Sequence, residues 1–131
     1  MKSARLTPYL LSVLRLVAAF VYLAHGTQKM FGVPGHPFHA PVFAATMIGA
    51  AGVIETIGGS LMLLGLLTRP AAFLMSGEMA IAYFHSHAPR GFFPILNSGD
   101  GAVLYCFVFF YLAFAGAGPL SLDALWRQMR G

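Results

Sequence analysis

An all-α membrane protein, a bundle of four transmembrane helices with both termini cytoplasmic and a closing amphipathic helix, is predicted by three observations. Hydrophobic residues make up 58% of the 131-residue chain and charged residues only 9%. The mean hydropathy is +0.74, which lies outside the soluble class. Four apolar stretches, near 8–30, 42–67, 70–87 and 101–117, approach the roughly 20 residues that a helix needs to cross a bilayer. Basic residues of the connections alternate between sides: Lys2 and Arg5, then Arg69, then Arg127 and Arg130 on one, against Lys29 and Arg90 on the other. The richer side is cytoplasmic by the positive-inside rule, so 1–131 reads as one multi-pass domain. The same placement accounts for a pI of 9.6. No Lys/Arg run interleaved with aromatics points to nucleic acid.

The first stretch contains Arg15 and ends in the polar run His25–Lys29. No small-residue cleavage site precedes that run, so it reads as a retained span. Pro34, Gly35, Pro37 and Pro41 stop the helix and make 31–41 an outer loop. In the second stretch, Gly52, Thr56 and Ser60 form one stripe at helical spacing, and Ala51, Glu55 and Gly59 its neighbour. Small residues let helices approach closely in lipid, which turns Glu55 toward another helix. The short turn 65–70 predicts an antiparallel hairpin, with Thr68 as N-cap and Pro70 in the first turn. The third stretch closes with His85-Ser-His87, and 91–99 is an outer loop carrying Asn97. Asp100 opens the fourth, which holds the single cysteine, Cys106. That cysteine has no disulfide partner within the chain and reads as a buried apolar thiol. Beyond Gly116–Pro119, Ser121 caps a helix over 121–130. Its Leu122, Leu125, Trp126 and Met129 lie opposite Asp123, Arg127, Gln128 and Arg130, the pattern of a helix lying on the cytoplasmic membrane surface.

An ionisable group at bilayer depth costs roughly 2.5–3.5 kcal/mol even on the mildest scale, so it is expected to have a partner or a task. Arg15 and Glu78 sit about 10–12 Å into spans that start on the same side, counted at the helical rise. An Arg15–Glu78 ion pair is the expectation. Glu55, nearer the middle, can share Arg15, accept from Tyr22 or be protonated. Arg15, Tyr22 and Lys29 recur every seven residues, a polar stripe along the first span. On the outer side fall His25, His36, His39, His85 and His87, with Gln28, Lys29, Arg90, Asn97 and Asp100. His85 follows Glu78 by seven residues and shares its helix face. These groups read as a cavity narrowing from the outer surface toward Glu55, with Glu55, Glu78 and His85 as the proton-exchanging candidates. Arg15, Tyr22, His25, Gln28, Lys29, Asn97 and Asp100 are the ligand-binding candidates.

Imidazoles with Asp100 are donors that suit zinc or copper, but His85-x-His87 on a helix splays its ligands apart. Haem would need inward histidines at matched depth, which His25 and His85 barely provide, so neither a metal nor haem is expected. Tyr83, Phe84, Phe92, Phe93 and Tyr105 fit an interfacial aromatic belt and, second, a flat-ring pocket. No dinucleotide, phosphate-loop, zinc-protease or nucleophile-elbow motif is present. The bland alternative is a polar clasp that only fixes helix order.

Several segments together resemble the DoxX family of small bacterial membrane proteins. They are Arg15, His25-Gly-x-Gln-Lys-x-Phe-Gly32, Glu55-x-x-Gly-Gly59, Leu64-Gly-Leu-Leu-Thr-Arg-Pro70, Glu78 with Ala82-Tyr-Phe-x-x-His87, and Asn97-x-Gly-Asp100. Asp100 stands where many relatives are expected to carry a Glu, which keeps the acid and shortens its reach. The resemblance implies a four-helix bundle in the bacterial cytoplasmic (inner) membrane and a redox association. Some relatives are described as subunits of a thiosulfate:quinone oxidoreductase and others as partners in oxidative-stress complexes. The expected function is then a redox-associated subunit binding a quinone-like ring, working as a homo-oligomer or with partner redox proteins that supply the electron carrier. A non-catalytic scaffold of a membrane complex and a small-solute carrier are the alternatives.

Overall fold

The computed structural model describes residues 2–35 and 46–131, and none of these forms a strand. His36, His39 and the expected start of the second span lie outside the described residues. Helix α1 runs Lys2–Phe31 and α2 Met47–Leu64. Helix α3, Thr68–Ala82, continues through a π-helical turn, Tyr83–His87, and a 3-10 turn, Ala88–Arg90. A short α4, Pro94–Asn97, interrupts the next connection before α5, Asp100–Ala115, and α6, Leu122–Arg130. Helix α1 starts well ahead of the predicted residue 8, and Pro8 lies inside it. A proline there deprives only one carbonyl of its partner, in an exposed first segment where water can take over.

The helices pack mainly in two pairs, α1 with α2 and α3 with α5, joined by the α2–α3 turn. The first pair is antiparallel and very close. Gly59 abuts Leu23, Gly26 abuts Thr56, and Gly52 abuts Lys29 and Met30. The small residues of α2 therefore face α1, as their spacing predicts. A Cβ on Gly26 would sit 2.5 Å from the Thr56 backbone nitrogen. Backbone cannot swing aside, so Gly26→Ala is expected to push the pair apart and cost about 1–3 kcal/mol, as overpacking does. Thermal unfolding in detergent should show a lowered midpoint. Gly77→Ala, where nothing lies within 4 Å, should leave that midpoint unchanged or slightly raised.

The core, Ala19, Tyr22, Met62, Ala72, Met75, Met79, Ala102, Phe109 and Leu112, lies between the four long helices. Cys106 is half-buried rather than buried, beside the Ser76 hydroxyl, which donates to its carbonyl at 2.8 Å. Polarity is arranged inside out. Ser12, Arg15, Glu55, Thr68, Ser76 and Asn97 are buried, while Phe20, Phe73, Leu104, Phe107 and Phe114 are each at least 65% exposed. Water-facing surfaces do not carry apolar area on this scale. Helices α1 and α2 are long and apolar enough to cross a membrane, and only 28% of either apolar window is buried within the molecule.

One end of the molecule is tied by α6. Ser121 caps it, its hydroxyl accepting from the Ala124 N–H at 3.1 Å, as predicted. Thr68, however, does not cap α3. Leu67 takes the left-handed N-cap position without a side-chain bond. Asp123 reaches across from α6 instead, its two oxygens accepting the Leu67 and Thr68 N–H groups at 2.9 Å each. A carboxylate there meets orphan donors and the positive end of the helix dipole. Burial alone would raise the Asp123 carboxyl, but the Thr68 and Leu67 N–H groups and the Arg127 charge together hold it below the usual range. Its contribution to stability is thus complete above the ordinary carboxylate pKa and is lost as pH falls through the lowered value. Asp123→Asn is expected to lower stability at pH 7 by about 1 kcal/mol, as loss of a cap does. The difference from the parent should shrink in unfolding scans taken at progressively more acid pH.

Candidate functional site: a charged stripe along α1

Arg15, Tyr22 and Lys29 share one face of α1 and extend over about 21 Å at 1.5 Å per residue. Each meets a different element. At one end Arg15, 0% exposed, donates from Nε to the Ala117 carbonyl at 2.9 Å and from Nη1 to Leu63 at 2.8 Å and to Met62. Its Nη2 donates to Leu120. Those carbonyls close α2 and line the link from α5 to α6. The expected Arg15–Glu78 pair does not form, because the guanidinium reaches the negative end of α2 before it reaches any carboxylate. Gly65, in the left-handed conformation, lets the turn seat closely here; a Cβ built on it would collide with the Ser121 Cβ and stand 3.0 Å from the guanidinium.

Midway along the stripe, the buried Tyr22 hydroxyl donates to Glu78 Oε2 on α3 at 2.8 Å. The Tyr22 ring packs edge-on against Phe109 and Tyr105 of α5, with centroids 4.8 and 5.6 Å away. At the far end Lys29 Nζ donates to both oxygens of Glu55, at 2.6 and 2.7 Å. Glu55 is 2% exposed. This is the ion pair of the described residues. The Glu55 and Glu78 charges also sense one another, and both sense Lys29. His25, exposed on α1, stands edge-on to the Tyr105 ring at 6.2 Å and within charge range of Glu55. The arrangement is therefore two carboxyls, one ammonium and one phenol in hydrogen-bonded or charge contact, flanked by aromatic rings.

The remaining candidates fall elsewhere. His85 lies in the π-helical turn, where the Ala88 N–H donates to Tyr83 five residues back. His85 is exposed there, whereas Glu78 is half-buried. Asn97 is buried but engaged by its own loop: its amide donates to Gly91 O at 2.8 Å and to Tyr83 Oη at 3.3 Å, and accepts from Gly99 N at 2.9 Å. His87 Nδ1 lies 3.0 Å from the Asn97 carbonyl. Gln28 is half-buried, and Asp100 is exposed at the start of α5. Among the described residues, no three His, Cys, Asp or Glu side chains stand together as a metal site would require.

The Lys29–Glu55 contact is the pairing that spacing alone missed. Counting depth from the ends of the apolar stretches puts Glu55 mid-membrane and Lys29 at the mouth. The register set by Gly26 against Thr56 brings them nearly level, and the lysine stem spans the rest. The glycines facing across the pair were the available signal.

The DoxX family model matches residues 10–88. An uncharacterized protein of Haemophilus influenzae is 46% identical over 120 residues, covering 88% of this chain and 90% of the relative. An uncharacterized membrane protein of Mycobacterium tuberculosis is 32% identical over 127 residues, covering 84% of this chain and 77% of the relative. No solved structure matches the chain. With its apolar exterior and charged interior, the chain belongs to the DoxX family of membrane proteins.

Proposed function

We propose that this protein is a redox-associated subunit of the bacterial cytoplasmic membrane that binds a quinone-like ring beside Lys29, Glu55, Tyr22 and Glu78. Four spans are formed by α1, α2, α5 and the fifteen residues of α3 with the five of the π-helical turn that continues it. Both termini are cytoplasmic, α6 lies on that surface, and the charged cluster opens toward the periplasm.

The observation that carries this reading is a pair of contacts from one face of α1, Lys29 to Glu55 and Tyr22 to Glu78, which place two carboxyls and one lysine inside the helices. Such a group is neutral with one additional proton, so it is suited to taking up and releasing one. Lys29 is the donor for a ring carbonyl, and the Tyr22–Glu78 bond is the path for the proton. Tyr105 and His25 offer a flat surface alongside. Reducing a quinone to a quinol takes two electrons and two protons; the electrons come from a partner redox protein.

Purified protein in nanodiscs should bind a short-chain ubiquinone saturably by calorimetric titration. Glu78→Gln and the pair Lys29→Met/Glu55→Gln, which keeps most of the stability, should each weaken that binding at least tenfold. Binding that never saturates, or that both variants preserve, overturns the reading. A second reading, a non-catalytic scaffold, draws support from Arg15, the most deeply buried charge, whose contacts are all with backbone carbonyls. It predicts that neutral swaps at Glu55 and Glu78 leave cellular function intact.

A further inference from the structure

We infer that the groove between the start of α3 and α6 is a binding site for the phosphate headgroup of an acidic phospholipid. The groove, about 540 Å³, is lined by Arg69, Trp126, Arg127 and Arg130, with Thr68 and Asp123 at its floor. Three arginines line it, all of them exposed. No carboxylate lies within 4.0 Å of any of them among the described residues. The chain has only four acids, and three of them, Glu55, Glu78 and Asp100, belong to other regions. The fourth, Asp123, already accepts the Leu67 and Thr68 N–H groups with its two oxygens. Asp123 lies in charge range of Arg127 and offsets part of this charge, and the three arginines still leave the groove net positive.

Its shape is prepared for an anion. Arg130 is held over the Trp126 ring, 4.3 Å from the centroid, which orients the fork and limits the freedom it must lose on binding. Guanidiniums grip phosphate through paired N–H groups. The source of the phosphate follows from the neighbours. Leu122, Leu125 and Met129, on the apolar face of α6 that Trp126 joins to the groove, are 40, 51 and 70% exposed, a surface that suits acyl chains. Tryptophan favours the same headgroup layer. A soluble phosphate has no use for that face; a lipid has use for both. The site stands apart from the Lys29–Glu55 cluster and does not depend on the quinone reading.

The test is lipid retention by the full-length protein, purified from vesicles of equal parts phosphatidylcholine and phosphatidylglycerol and analysed by native mass spectrometry. The wild type should retain phosphatidylglycerol at least tenfold over phosphatidylcholine. Arg69→Gln/Arg130→Gln should lose that preference, while Arg5→Gln, with a charge removed on α1 outside the groove, should keep it. Thermal unfolding supplies the second measurement. Phosphatidylglycerol should raise the wild-type midpoint by several degrees in phosphatidylcholine nanodiscs, and 10 mM inorganic phosphate should not. The inference is overturned if the wild type retains both lipids equally, or if Arg5→Gln removes the preference as fully as the groove variant, which is diffuse attraction. Inorganic phosphate reproducing the whole shift overturns it as well, since the site is then one for a free anion. Should the groove variant fail to fold, wild-type retention and the phosphate comparison decide alone.

Discussion

Arg15→Ala is expected to unfold the protein rather than to slow a reaction. The side chain is completely buried and supplies four backbone carbonyls, those of Met62, Leu63, Ala117 and Leu120, with a charged donor. The bonds to Met62 and Ala117 are buried and those to Leu63 and Leu120 part-buried, and each lost bond to a charged group is worth about 1.5–3 kcal/mol. Losses do not add fully, but a total above about 4 kcal/mol is a large share of the roughly 5–15 kcal/mol that holds a typical domain together. Little protein should accumulate in the membrane, and what does should unfold far below the wild type in a detergent thermal scan. Arg15→Lys keeps the charge but not the planar fork that reaches carbonyls on two sides, so it should fall between. The double variant Arg15→Ala/Glu78→Gln should be no better than Arg15→Ala. A rescue there would mean that the two side chains do oppose one another, against the geometry found.

The second large effect concerns Lys29 and Glu55. Lys29→Ala leaves a carboxyl that is 2% exposed without its cation, and breaking a buried pair from one side costs about 3–5 kcal/mol. The lysine is 22% exposed, so solvent softens this and about 2–3 kcal/mol is expected. Glu55→Gln should cost less, because an amide needs no counter-ion. The pair Lys29→Met/Glu55→Gln should recover most of the loss. Chemical denaturation in micelles of Lys29→Met, Glu55→Gln and the pair would close the double-mutant cycle, with a coupling of about 1–2 kcal/mol, near the upper end seen between membrane helices. Additive single effects would show that the contact contributes nothing.

Much of the helix pattern was legible in the chain. Apolar run length located the helices, and glycine and serine spacing marked the face of α2 that meets α1, because both are local properties of a period near 3.6 residues. Ser121 was legible as a cap for the same reason. The identity of charge partners was not. Arg15 and Glu78 matched in depth and sign, yet depth counted along one helix says nothing about azimuth or about the reach of a neighbouring helix end. Asp123, read as one residue of a polar face, is the N-terminal cap of α3, fifty-five positions earlier in sequence.

By itself the sequence determined that this chain is helical, apolar outside and charged inside, since hydropathy and periodicity act residue by residue. Only the tertiary structure decided which charges meet. The close seating of Gly26 on Thr56 levels Lys29 with Glu55, the bare Gly65 lets the turn seat beside Arg15, and His85 is left exposed in the π-helical turn. Each is a matter of how one helix is placed against another, and that placement is set by contacts between residues that no local pattern relates.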